Sequence, residues 1–256
     1  MIIRGPSGLG DAMYMAVIGK YYTEKGNDVE ICTKWADLYR VLGLRTLPHQ
    51  KAFGDIQASY GGRKKNTDTN QYQDLCIASG IKDYPVFKIE WPVQSPALIK
   101  MIRKESENKK ICIVGAPYKP FGRDDGFGVE LEINYDIFEE IMKTYNKQIF
   151  FILTGTKATR KLNYANFDLV DQTSVCDLMD ISSIANLFLT QVGHLLPIGE
   201  CLGKPVACFF SKHGMTCENQ FVNTIIPKKV FCRDTDMSFI DDEPIDVIIK
   251  RFGDMI

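Results

Sequence analysis

Short runs of apolar residues alternate with longer stretches whose apolar positions recur every three or four residues. Met1-Ile2-Ile3-Arg4 reads as a strand, followed by the turn Gly5-Pro6-Ser7-Gly8-Leu9-Gly10, a nearly all-apolar helix over 11–24 and a second strand over 28–32. The series continues with a helix at 36–42, an apolar stretch at 52–58, a polar loop at 61–70, a helix at 71–79 and an extended segment at 84–91. A second series opens with the strand 110–116, which leads into a Gly/Pro-rich loop at 117–128. Helix 135–145, strands 148–153 and 168–170, helix 176–181, strand 185–189, a short helix at 194–202 and strand 206–210 complete it. Such alternation predicts an α/β chain with parallel sheets.

The alternation restarts after Pro92 and Pro96, which precede a charged helix at 97–107. Two Rossmann-like domains are therefore expected, 1–94 and 110–240, joined by a linker helix over 95–109. In the last segment, 241–256, Ile245, Ile248, Ile249 and Phe252 fall on one helical face. That helix is expected to pack back on the first domain.

Composition changes this picture little. Of 256 residues, 45% are hydrophobic and 25% charged, which excludes a mainly disordered chain. The 31 basic against 32 acidic residues leave no global positive field to attract nucleic acid or an acidic membrane. Eight cysteines never form a C-x-x-C pair and most sit in apolar runs, so buried thiols in a reducing compartment are expected rather than a metal site. No run of about 18 apolar residues occurs, and Met1–Arg4 leads straight into the Gly-rich loop. Neither a membrane span nor a signal peptide is predicted, and the location expected is the cytoplasm.

Two constellations carry candidate chemistry. The first is Gly5-Pro6-Ser7-Gly8-Leu9-Gly10-Asp11, between a strand and a helix, where free backbone N–H groups favour an anion or polar ligand. Its glycines do not fit G-x-G-x-x-G, and Asp11 stands where a P-loop would carry lysine. Asp11 either caps its helix or accepts a proton from a hydroxyl. The second is Thr190-Gln191-Val192-Gly193-His194-Leu195-Leu196-Pro197-Ile198-Gly199-Glu200, where a buried strand ends and Pro197 sits in the first turn of a helix. A helix start at the carboxyl edge of a parallel sheet is where an α/β domain binds a nucleotide. His194 and Glu200 also fit structural roles, as a core histidine and a solvated helix residue.

These residues resemble the heptosyltransferase-like glycosyltransferases, family nine, of the ADP-heptose:lipopolysaccharide type. Gly10-Asp11 running into an apolar helix is similar to the family's opening, and Gln191–Pro205 to its late D-S-G-x-x-H-L-A-x-A-L-G-K-P motif. Gln172-Thr173-Ser174-Val175-Cys176-Asp177-Leu178 is similar to its T-S-L-x-E-L segment. Gly10-Asp11 and Leu202-Gly203-Lys204-Pro205 match cleanly; the motif's acid is replaced by Gln191 or Val192, and its histidine is displaced by about one turn. The resemblance implies the GT-B fold, with two Rossmann-like domains facing across a cleft. The first would hold the acceptor beside Ser7, Gly8 and Gly10, with Asp11 as catalytic base. The second would bind a nucleoside-diphosphate sugar through Lys119, Arg123, Thr154, Gln191, Gly193, His194 and Glu200.

The expected function is thus an inverting, metal-independent glycosyltransferase with no cofactor beyond its nucleotide-sugar donor. The acceptor would be a glycan, a lipid-linked lipopolysaccharide core or a hydroxylated base in phage DNA. Arg63-Lys64-Lys65 could hold an acceptor phosphate, and Tyr60, Tyr72 and Trp91 could stack on a sugar or base. Asp234-Thr235-Asp236 mimics a D-x-D metal motif but lies in a polar stretch. The rivals are a nucleotide-sugar epimerase or hydrolase on the same fold, and a non-catalytic nucleotide-sugar-binding protein.

Overall fold

The structure, a computed structural model, describes residues 1–49, 54–59, 71–115, 135–155, 161–191, 193–210, 238–240 and 244–256. The first part contains β1 (Ile2–Arg4), α1 (Leu9–Glu24), β2 (Glu30–Thr33), α2 (Ala36–Val41), β3 (Arg45–Pro48), β4 (Ile56–Gln57) and α3 (Gln71–Ala78). After α4 (Pro96–Glu105) come β5 (Lys110–Gly115), α5 (Asp136–Tyr145), β6 (Ile149–Thr154), β7 (Phe167–Asp168) and α6 (Val175–Ile184). The chain continues through β8 (Leu187–Gln191), α7 (Leu195–Cys201), β9 (Val206–Phe210), β10 (Ser238–Ile240) and α8 (Ile245–Gly253).

These strands form two sheets, ordered β3-β2-β1-β4 and β10-β9-β8-β5-β6-β7, and every recorded pairing is parallel. Burial explains the order of the second. Ile111–Val114 and all of β6 and β8 are buried, as central strands covered on both faces must be. Alternate residues of β5 serve opposite faces: Ile111 and Ile113 join a cluster shared with the first sheet and α1, whereas Cys112 and Val114 join the core around α5. The first sheet ends at β3, where Arg45 pairs with Asp28 at 2.5 Å and Glu30 at 2.8 Å. Charge and Pro48 at that position suit an edge strand.

Helix α1 is buried from Ala12 to Gly19 because it is packed between β2, α3 and α7. A Cβ on Gly19 would lie 2.5 Å from Ile31 Cδ1, so a larger residue there would have to displace the Ile31 side chain of β2. Beyond α3, the segment at 84–91 forms no strand, and Ile89 N–H donates to Cys201 O at 2.8 Å. The chain then crosses towards the second sheet, where Asp180, wholly buried in α6, accepts from Trp91 Nε1 at 2.6 Å, Gln94 N–H at 2.9 Å and Ser95 N–H at 2.5 Å. Asp177 adds an acceptor for Ser95 Oγ at 3.1 Å and closes a reciprocal cap with Ser174. The Ser174 hydroxyl, foremost, holds the Asp177 carboxyl below the usual carboxylate range.

The C-terminal helix forms where expected but packs elsewhere. Ile248 and Phe252 of α8 enter the core around α5 of the second sheet, not the first domain. Tyr145 decides this: its ring lies 5.6 Å from that of Phe252, and its hydroxyl donates to Ile249 O at 2.9 Å. The α5 surface is itself strongly apolar on that side, so the face finds its partner locally. The six described cysteines are free thiols, five of them buried. Among the described residues no helix is long and apolar enough to cross a membrane.

Candidate active site

The turn after β1 ends in a cap that uses Asp11 differently from a residue at the helix head. Helix α1 starts two residues earlier, at Leu9, with Gly8 as its N-cap, which puts Asp11 in the third helical position. There its Oδ2 accepts the Gly8 N–H at 3.2 Å. Half of a reciprocal cap is therefore present, and the carboxylate is fixed beside Ser7 and Gly8, both exposed, while Asp11 itself is half-buried. Behind it, Tyr39 Oη donates to Ala12 O at 3.0 Å, and burial, with the Asp11 charge as a lesser cause, pushes its phenol up.

The same peptide unit is held from its other end. Ser7 C=O accepts Trp35 Nε1 at 3.0 Å, and Trp35 N–H donates to Thr33 Oγ1 at 2.9 Å. Lys34 Nζ stands 5.0 Å from the centre of the Trp35 ring. Trp35 is half-buried at the carboxyl end of β2.

At the second sheet, the carboxyl ends of β5, β6 and β8 gather small polar groups. Gly115 is opposite Thr154 in register, and a Cβ on Gly115 would lie 2.9 Å from Thr190 Oγ1 and 3.4 Å from Leu195 Cδ1. Thr154 is buried with its Oγ1 3.4 Å from Val114 O. Thr190 Oγ1 donates to Gln191 O at 2.9 Å, and Tyr135 Oη donates to Gln191 Oε1 at 2.5 Å. Gln191, 8% exposed, is thus held in place at the position where the likened motif carries an acid. Gly193 is exposed, and a Cβ there would meet only Gln191 O at 3.9 Å. The space around it is open.

His194 is the N-cap of α7 and is half-buried; desolvation pushes its imidazole down to about 4, so it is neutral at pH 7. Glu200 is 5% exposed and therefore not a solvated helix residue. Burial first, and the Glu200 charge second, push the thiols of Cys201 and Cys208 up.

The two loops meet. A Cβ added to Gly10 would lie 2.9 Å from Pro197 Cγ and 3.4 Å from His194 Cα, so the turn after β1 rests directly against the start of α7. Gly10, the residue before Asp11, is thus the point at which one sheet edge meets His194 and Pro197 of the other. Lys119, Arg123, Tyr60, Arg63, Lys64, Lys65 and the Asp234-Thr235-Asp236 segment lie outside the described residues. Tyr72 and Trp91 are within them but buried, with Tyr72 Oη donating to Pro85 O and Trp91 bonded to Asp180, so neither offers a ring for stacking. Among the described residues, Trp35 and Tyr135, which no local motif marks, bond to Ser7 and Gln191 at the two sheet edges. Among the described residues, no group of three or more His, Cys, Asp or Glu is placed to hold a metal ion.

This architecture is the GT-B glycosyltransferase type of α/β fold. Among solved structures, the chain is similar to ADP-heptose LPS heptosyltransferase II of E. coli at a TM-score of 0.59 and 9% identity, over 99% of this chain and 97% of that one. A family 9 glycosyl transferase from Veillonella parvula DSM 2008 gives a TM-score of 0.60 at 8% identity, over 100% and 89%. The E. coli heptosyltransferase WaaC with ADP-2-deoxy-2-fluoro heptose gives 0.52 at 9%, over 99% of each chain. No family model matches the chain, and no curated protein is significantly similar to it in sequence. The fold of these structures is thus present on a sequence only 8–9% identical to theirs.

Proposed function

We propose that this protein transfers a sugar from a nucleoside diphosphate to an acceptor hydroxyl, with inversion and with Asp11 as the base. The observation that carries this reading is the close approach of Gly10 to His194 and Pro197, which sets the Asp11 turn against the loop after β8. In a fold shared with enzymes named as heptosyltransferases, that arrangement supports an acceptor held at the first edge and a donor at the second. Asp11 takes the proton as the acceptor oxygen attacks the anomeric carbon, and the nucleoside diphosphate leaves from the opposite side. A carboxylate accepts up to about four hydrogen bonds, so the contact with Gly8 is compatible with proton uptake. The donor lies along Thr154, Gln191, Gly193 and His194, with Lys119 or Arg123 meeting the charge that develops on the diphosphate. Neutral His194 and Gln191 add hydrogen-bonding capacity there without repelling it. The acceptor is a glycan, as a composition without net positive charge favours over DNA.

Asp11→Asn keeps the size of the side chain and an oxygen for the Gly8 N–H but cannot take the proton. It is expected to lower turnover about 10²-fold or more with donor binding unchanged. Transfer at the wild-type rate in this variant would refute the mechanism.

A further inference from the structure

We propose that the two sheets do not hinge against each other: helix α1 serves both and locks them into one cooperative unit, whose facing edges keep a single separation. The proposal goes beyond the sugar-transfer reading and does not depend on it.

Two α/β halves joined by a linker are expected to move relative to each other unless the interface between them is large and hydrophobic. Enzymes that gather substrates between such halves commonly use that motion to close. Here the interface is a core. Ile3 and Ile31 of the first sheet, Met13 and Ile18 of α1, and Ile152 and Phe188 of the second sheet belong to one continuous cluster, and each is at most 1% exposed.

Helix α1 shows how the sharing arises. A helix on the outside of one half buries a stripe and exposes the rest. In α1 every residue from Ala12 to Gly19 is buried, which requires cover on all sides. Its own half supplies part of that cover: Gly19 lies over Ile31 of β2, and the Tyr14 ring is 4.9 Å from that of Phe87. The other half supplies α7, whose Pro197 stands 2.9 Å from where a Cβ on Gly10 would be. Swinging the second sheet away would return this apolar surface to water. Helix α2 packs on α6 as well.

The crossing chain leaves little room for a hinge. Tyr72 Oη of α3 donates to Pro85 O at 2.7 Å, which fixes Pro85 to the first half. Ile89 N–H donates to Cys201 O of α7 at 2.8 Å, which fixes Ile89 to the second. Only residues 86–88 separate the two anchors, and Trp91, Gln94 and Ser95 are then held by the buried Asp180. A hinge needs a few residues free to absorb large backbone rotations.

The test is native-state hydrogen exchange of the full chain, read by mass spectrometry of peptides from α1 and β6 at rising urea below the unfolding transition. Both peptides are expected to exchange with one urea slope, equal to that of global unfolding followed by circular dichroism. Two mild variants probe the coupling from either side, Ile152→Val in β6 and Ile18→Val in α1. Each should speed exchange of both peptides by the same factor, about two- to tenfold. The proposal is overturned if α1 and β6 open with different slopes, or if either variant speeds only the peptide of its own half. Because the measurement involves no sugar transfer, its outcome is separate from that of Asp11→Asn: normal transfer in that variant would remove the base and leave the lock standing.

Discussion

The carboxyl ends of β1 and β8 share one plan, a strand, a short turn and a helix, yet they are finished in opposite ways. After β1 the turn is open: Ser7 and Gly8 are exposed, and a charged side chain, Asp11, sits at its lip. After β8 almost everything from Leu195 to Cys201 is buried, and the polar groups at the edge are neutral and already engaged, Thr190 with its neighbour's carbonyl and Gln191 with Tyr135. An acid that exchanges protons with a substrate needs partial contact with solvent, whereas a site that places a diphosphate gains from fixed neutral dipoles in a drier setting. One local topology is thus finished in two ways through burial, and in the proposed reaction each finish suits one half of the chemistry.

The contrast can be broken most severely at Asp11, where the hundredfold loss expected in Asp11→Asn contrasts with the fate of Asp11→Ala. The alanine also removes the acceptor for Gly8 N–H, so it should lose about 1 kcal/mol of stability in addition, read by urea unfolding. Next in size is Gly10→Val. A side chain there meets the Pro197 ring at 2.9 Å, which has no flexible end to move aside. Although leaving glycine favours a helix, the overpacking should cost about 1–3 kcal/mol and push the two edges apart, lowering both stability and turnover.

His194 sharpens the comparison through pH. Its folded-state value, about 4, lies below the ordinary 6.5, so the folded protein favours the neutral ring. The resulting stability is complete above pH 6.5 and is lost as pH falls towards 4, up to about 2 kcal/mol for this half-buried group. His194→Gln should flatten that part of the stability profile, measured by urea unfolding at pH 7.5 and 4.5. The smallest effect on stability belongs to Gly193→Val, within about 0.5 kcal/mol because the space is open. Its effect on the donor should be large: nucleoside diphosphate affinity is expected to disappear in a calorimetric titration of a fully folded variant.

Most helices and strands were legible because burial follows periodicity, as in the continuous apolar runs that became β5 and β6. Strand β3 was not, since Arg-Thr-Leu-Pro is short, charged and half-exposed, the character of an edge that carries no apolar signal. The position of Asp11 after a glycine turn was legible, but its fold-back onto Gly8 depends on a helix start that glycine propensity obscures. Trp35 was invisible for a different reason: the contact that matters joins residues 28 apart, and nothing in Lys34-Trp35-Ala36 announces Ser7. Of the apolar face read for α8, Ile248 and Phe252 are buried and Ile249 partly so, whereas Ile245 is exposed. Amphipathicity says that a helix will cover something, and Tyr145 and its neighbours on α5 decide what.

Asp180 has a consequence for anyone dividing this chain in two. A C-terminal fragment begun at the natural-looking restart, Lys110, would carry α6 but leave behind Trp91, Gln94 and Ser95, stranding a wholly buried carboxylate without its donors. The backbone between Ile81 and Ile89, which contains the exposed Tyr84 and Val86, is the better place to cut, because Ile89, Trp91, Gln94 and Ser95 are hydrogen-bonded to α6 or α7. The boundary that sequence suggests and the boundary that hydrogen bonds enforce differ by about twenty residues, and the second defines the unit that travels with the second sheet.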